Sequence, residues 1–141
     1  MYHHILVAVE HSKADEAILE HISGLAKLMG ARLLLVHVAD GFAARHFEDL
    51  NLRESEEIRD DRAYLTRRCD ELRAVGLQVE SQLAMGDPAT ELIRIAGEAQ
   101  VDLIAMSTHG HRLLGDIIHG TTVDKVRHIV RVPVLLLRAQ T

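Results

Sequence analysis

Residues Ile5 to Val38 read ILVAVEHSKADEAILEHISGLAKLMGARLLLVHV, and the order of patterns in this stretch decides the fold. Ile5-Leu6-Val7-Ala8-Val9 is a continuous apolar run, too short for most helices and bounded by polar residues, which suits a strand buried on both faces. Ser12 then offers a side-chain oxygen to cap a helix, and Asp15 and Glu16 put negative charge in its first turn, where the dipole favours it. Ile18, Ile22, Leu25, Ala26 and Met29 recur at helical spacing, and Gly30 stops the helix. Leu33 to Val38 is a second buried strand.

The same alternation continues outward. Residues from about Glu48 to Val75 mix acids and bases around Leu50, Ile58, Leu65, Cys69 and Leu72, the pattern of a long amphipathic helix with a solvated face, ended by Gly76. Leu77 to Leu83 alternates apolar and polar residues, as a half-exposed strand at a sheet edge does. Asp87 caps the next helix, with Pro88 at its first position and Leu92, Ile93, Ile95 and Ala96 on its buried side. Leu103 to Met106 is a fourth strand. Val123, Val126, Ile129 and Val130 mark a last helix, and Val134 to Leu137 a last strand. Strands alternating with helices force crossover connections and a parallel sheet. The expected fold is α/β: a single open five-stranded parallel sheet with helices on both faces, Rossmann-like, in one domain over residues 1–141.

Composition narrows the function. The chain has 141 residues, 48% of them apolar and 3% aromatic, so one aliphatic core is expected. A net charge of −5 argues against a general nucleic-acid binder, which needs basic surface to replace counterions. The single cysteine, Cys69, excludes an internal disulfide and fits a reducing compartment. No apolar run approaches the roughly 20 residues that span a bilayer, and the N-terminus runs straight into a strand without a signal-peptide pattern. The expected location is cytoplasmic, away from membranes.

In an open sheet of this kind, ligands bind beyond the carboxyl ends of the strands, where the strand order reverses. The candidate segments are therefore Val9-Glu10-His11-Ser12, Val38 to Gly41, and Met106 onward. The last of these is the most informative: Ser107-Thr108-His109-Gly110-His111-Arg112-Leu113 opens a polar stretch that leads through Gly120 to Thr121-Thr122. Gly110 and Gly120 let backbone approach a ligand with no Cβ in the way. Thr121 and Thr122 supply hydroxyls and amides at a helix N-terminus, where the dipole favours an anion. His111 and Arg112 add positive charge. These are the parts of a phosphate cradle, although neither G-x-x-x-x-G-K-[ST] nor G-x-G-x-x-G after the first strand is present.

Over nearly its whole length the sequence resembles the universal stress protein family. That family's nucleotide-binding members carry G-x2-G-x9-G-[ST] after the fourth strand. Here Gly110 is followed by nine residues and then Gly120-Thr121, with Ser107 where the family has its first glycine. Ile5 to Val9, Val36-His37-Val38, Gly86-Asp87-Pro88, Val101 to Ile104, Ser107 to Gly110 and Val132 to Leu136 match as well. The resemblance implies a fold of the adenine nucleotide α-hydrolase-like type and a site for ATP, ADP or AMP; a divalent ion such as Mg²⁺ would come with the phosphates, which supply the ligands themselves. Ala8 would lie near the base or ribose, Val38 would touch the adenine, Ser107 to Leu113 would wrap ribose and phosphates, and Thr121, Thr122 and Val123 would cap the phosphates. It also implies a homodimer through the C-terminal strand, Val132 to Leu137. Two positions depart from the family: Glu10 stands where aspartate is usual, and Ser107 replaces the glycine, which would be strained only if the backbone there needs positive φ.

Ten histidines invite a metal reading, but their spacing does not form a compact zinc set. The loop histidines are read as solvated or backbone-bonded, and His37 as a hydrogen-bonded structural residue. No nucleophile elbow or paired carboxylates point to catalysis. The expected function is a nucleotide-binding stress-response or signalling module. The rivals are a nucleotide-free interaction module of the same fold and a slow ATPase.

Overall fold

Alternation along the first strand is what divides the core. In β1 (His4–Ala8), Ile5 and Val7 point to one side of the sheet, and Leu6 and Ala8 to the other. Such a strand has no polar face and must be covered twice. The computed structural model describes residues 1–40, 51–108 and 120–139, and in it both coverings are made by helices.

The elements run β1, α1 (Ala14–Met29), β2 (Arg32–Asp40), α2 (Asn51–Ala74), β3 (Val79–Gly86), α3 (Pro88–Ala99), β4 (Leu103–Thr108), α4 (Gly120–Ile129) and β5 (Val134–Arg138). All strand pairs are parallel, in the order β3-β2-β1-β4-β5. On one face, Ile5, Val7, Val9, Leu33, Leu35, Leu103 and Ala105 pack against Ile18, Leu19 and Ile22 of α1 and against Tyr64, Leu65, Cys69 and Leu72 of α2. On the other, Leu6, Ala8, Leu34, Val36, Val38, Ile104 and Met106 pack against Leu92, Ile95 and Ala96 of α3 and Val123 and Val126 of α4. At roughly 2 kcal/mol for each fully buried aliphatic side chain, these two layers are the main source of stability.

Local signals place most helix ends. Gly30, with φ +68°, closes α1 in the left-handed conformation that a side chain would resist. Asp87 caps α3 by accepting from the Thr90 N–H at 2.9 Å and the Thr90 hydroxyl at 2.7 Å, with Pro88 following it. Asp102, just before β4, ties the sheet's amino edge together by accepting from the His3 and His4 amides at 2.8 and 3.1 Å.

Some expectations shift. Leu77 precedes β3 rather than belonging to it, and Ser81 of that edge strand is exposed. Ile129, expected on the buried side of the last helix, is 51% exposed because the helix ends there. The last strand starts at Val134, so Val132 and Pro133 lie before it. Cys69 is fully enclosed, and burial pushes its thiol pKa up, which keeps it protonated and unreactive.

Candidate functional site

The chain passes from β1 to β2 and β3 on one side, then crosses to β4 and β5 on the other. The strand order therefore reverses between β1 and β4, and their carboxyl ends flank the crevice where open α/β sheets take ligands. The segment after β1, residues 9–13, and the end of β4, residues 106–108, meet at this point.

The residues singled out from the sequence divide between the two faces. Ala8, Val38, Met106 and Val123 come together in the α3/α4 cluster, all nearly or fully buried. Val9 lies on the opposite side, in the α1/α2 cluster. Ser107 also turns that way: its hydroxyl donates to the Ala14 carbonyl at 3.4 Å, at the start of α1. Among the described non-glycine residues only His11 and Gln100 have positive φ, so Ser107 sits in the family's glycine position without backbone strain. Thr122 is buried and Thr121 exposed in the first turn of α4, whose backbone begins at Gly120. His109, Gly110, His111, Arg112 and Leu113 lie outside the described residues.

The segment that follows β1 is built differently from expectation. Ser12 was expected to cap α1, but the cap position is Lys13, with no side-chain cap bond. Ser12 Oγ instead accepts from the Ala14 N–H at 3.2 Å and faces the Glu10 carboxylate at 3.5 Å. The organising group is Asp15, wholly buried. Its carboxylate reaches back to accept from the amides of Glu10 at 2.8 Å, His11 at 2.9 Å and Ser12 at 3.4 Å. The Tyr64 hydroxyl of α2 donates to the same carboxylate. Burial, followed by that bond and the Asp15 charge, raises the Tyr64 pKa, so the phenol stays a donor. These contacts hold Glu10, 8% exposed, at the mouth of the crevice.

A second set of polar contacts lies beside the first. His11, with φ +63°, stacks its ring on Tyr64 with centroids 4.1 Å apart. Its Nδ1 lies 2.8 Å from one oxygen of Asp61 on α2. The other Asp61 oxygen is 3.5 Å from Nε2 of His37, a buried residue of β2 whose Nδ1 lies 3.0 Å from the Val9 carbonyl. His37 is thus hydrogen-bonded, as its place in the sequence suggested. Asp15, Asp61 and Tyr64 were not singled out as site residues. Asp15 reads as an ordinary first-turn acid, and the other two lie in a charged helix where nothing local marks them.

With this geometry in view, likeness to known proteins becomes informative. The family model described as the universal stress protein family matches residues 1–138. The chain belongs to the universal stress protein family. A universal stress protein of Methanocaldococcus jannaschii is 27% identical, the match covering 98% of this chain and 96% of its own. The solved structure of that archaeal protein has a TM-score of 0.83 at 25% identity, covering 100% of this chain and 99% of that one. Two further universal stress protein structures share the fold. One, described in complex with cAMP, has a TM-score of 0.68 at 17% identity and covers 99% of this chain and 98% of its own. The other, from Archaeoglobus fulgidus in complex with dAMP, has a TM-score of 0.67 at 22% identity and covers 96% and 97%.

Proposed function

We propose that this universal stress protein is a single-domain, adenine-nucleotide-binding module of a stress response, acting in the cytoplasm through occupancy rather than turnover. The observation that carries the reading is the convergence of Ala8, Val38, Met106 and Val123 at the switch point, next to the N-terminus of α4. The four side chains would back an apolar seat for a flat base, and the amides and hydroxyls of Thr121 and Thr122 would suit an anionic phosphate. Two proteins of the same fold are described with cAMP and dAMP, which supports an adenine nucleotide as the ligand class. Within that class, ATP, ADP or AMP would be held by Ala8, Val9, Glu10, Val38, Met106, Ser107, Gly120, Thr121, Thr122 and Val123, together with His109 to Leu113. Mg²⁺ would come with the phosphates, which supply its ligands. The active unit would be a homodimer joined along Val132 to Leu137.

A thermal-shift titration with ATP, ADP, AMP and GTP, with and without Mg²⁺, tests this reading. A ligand at about 100 times its Kd stabilises by about 2.7 kcal/mol, which raises Tm on the order of 5–10 °C for a chain of this size. The expected result is a saturable rise with adenine nucleotides that is lost in Gly120→Val. No rise, in protein that mass spectrometry finds free of retained nucleotide, would leave the interaction-module reading in its place. One feature favours that second reading: the Ser107 hydroxyl is turned toward α1 instead of the crevice.

A further inference from the structure

The contacts around His37 have a property that nucleotide binding alone does not require. A carbonyl oxygen can only accept, so the His37 Nδ1 facing Val9 carries a proton. The Asp61 carboxylate facing Nε2 is also an acceptor. Both ring nitrogens of a buried histidine thus point at acceptors, and only the doubly protonated ring satisfies both. Asp61 accepts from His11 through its other oxygen, so one carboxylate joins α2 to the end of β1 from two directions.

We propose that His37, Asp61 and His11 form a proton-dependent latch, in which the imidazolium of His37 adds a tie from Asp61 of α2 to the segment after β1, and loss of its proton removes that tie and loosens the segment, which Asp15 and the His11–Asp61 contact still hold. His37 and Asp61 are positioning residues here. They act through the Val9 carbonyl and His11 on the chain that carries Glu10.

The surroundings of His37 favour the cation. Asp61 faces it from α2, Asp15 from α1, and His11 from the β1–α1 segment, with ring centroids 6.3 Å away. Across the ladder, its β3 partner is Leu83, which is uncharged. Tyr64 of α2 lies under His11 and carries Arg67 and Arg68 on its ring at 5.3 and 5.8 Å. Burial by itself lowers the pKa of His37, but the Asp61 bond, the Val9 bond and the two carboxylate charges outweigh it and raise it above 6.5. Asp61 moves the opposite way: burial raises it, and its two histidine partners more than reverse that. Because the folded His37 value is the higher one, the latch contributes fully below the ordinary histidine range and is lost as pH rises through the folded value.

The link to ligand rests on the nucleotide reading above, and the test separates the two. In ligand-free protein, imidazole resonances should show His37 titrating above the ordinary histidine value, with the Glu10 and His11 amide resonances moving at the same midpoint. Asp61→Asn, folded by circular dichroism, should lower that midpoint by about one pH unit or more. ATP affinity, measured by calorimetry from about pH 6 to about pH 9, should fall by up to roughly tenfold more in the natural protein than in Asp61→Asn. Comparing the two proteins removes the nucleotide's own titration. An unmoved midpoint in Asp61→Asn, or amides that ignore it, overturns the latch whatever ATP does. Equal pH slopes for ATP overturn its coupling to the ligand. Normal latch titrations with no ATP binding at any pH would uphold the latch and remove the nucleotide reading.

Discussion

Asp15 does more for this molecule than its place in a helix's first turn would suggest. One buried carboxylate satisfies three consecutive amides and a phenol from another helix. Hydrogen bonds to a charged group contribute about 1.5–3 kcal/mol each, and removing the acceptor leaves buried donors unpaired. Asp15→Ala should therefore cost at least about 3 kcal/mol in urea unfolding. A loss under about 1 kcal/mol would mean that water or a shifted backbone takes over the acceptor role. The same group explains how His11 keeps a left-handed backbone, a conformation that costs a non-glycine residue about 1–2 kcal/mol. The Asp15 bond to its amide, the Asp61 bond to its ring and the stack on Tyr64 together offset that strain.

At the scale of elements, α3 offers the simplest test, because its start depends on one side chain. Asp87→Ala removes the acceptor for the Thr90 amide and hydroxyl and should cost about 1 kcal/mol, read as a lower Tm. The Thr90 hydroxyl and amide bonds, with Lys125 at 3.7 Å, hold the Asp87 pKa below the usual carboxylate range. That contribution is complete above the unfolded carboxylate value and is lost as pH falls through the folded one. The gap between Asp87→Ala and the natural protein should accordingly close in acid, and a gap that stays constant to low pH would assign the loss to something other than the charged cap. The cap at Asp87 and the stop at Gly30 were legible in the sequence because each works within a few residues of itself. The start of α1 was not. Its anchor, Asp15, is buried by Tyr64, which is 49 residues away along the chain. The site followed the same rule. Val38 and Met106 were marked as candidates by where strands end, and Ala8 by the family resemblance, whereas the meeting of His11, His37 and Asp61 depends on how α2 lies across the sheet, and no window of sequence shows that.

Across the whole molecule the two sheet edges differ. The β3 edge carries exposed Glu80 and Ser81, polar residues that discourage further pairing. The β5 edge runs Val134-Leu135-Leu136-Leu137, half buried, with Leu136 38% exposed; Ile129, at the end of α4, is 51% exposed. An apolar edge of this sort is suited to a symmetric partner. Light scattering coupled to gel filtration should find a dimer for the natural protein and a monomer for Leu136→Lys, with unchanged circular dichroism. Elution of both as monomers would remove the homodimer from the proposed function.

The position of β1 also has a consequence during synthesis. Its two neighbours are made at very different times: β2 follows within about thirty residues, whereas Ile5, Leu6 and Val7 pair with Leu103, Ile104 and Ala105. At translation rates of about 5–20 residues per second, that flank of the nascent sheet stays open on the order of 5–20 s after β1 is made. For that interval the ribosome presents an unpaired, aliphatic strand to its surroundings. The period in which this protein most needs protection from aggregation, by a holding chaperone or by the ribosome surface itself, ends only when β4 emerges.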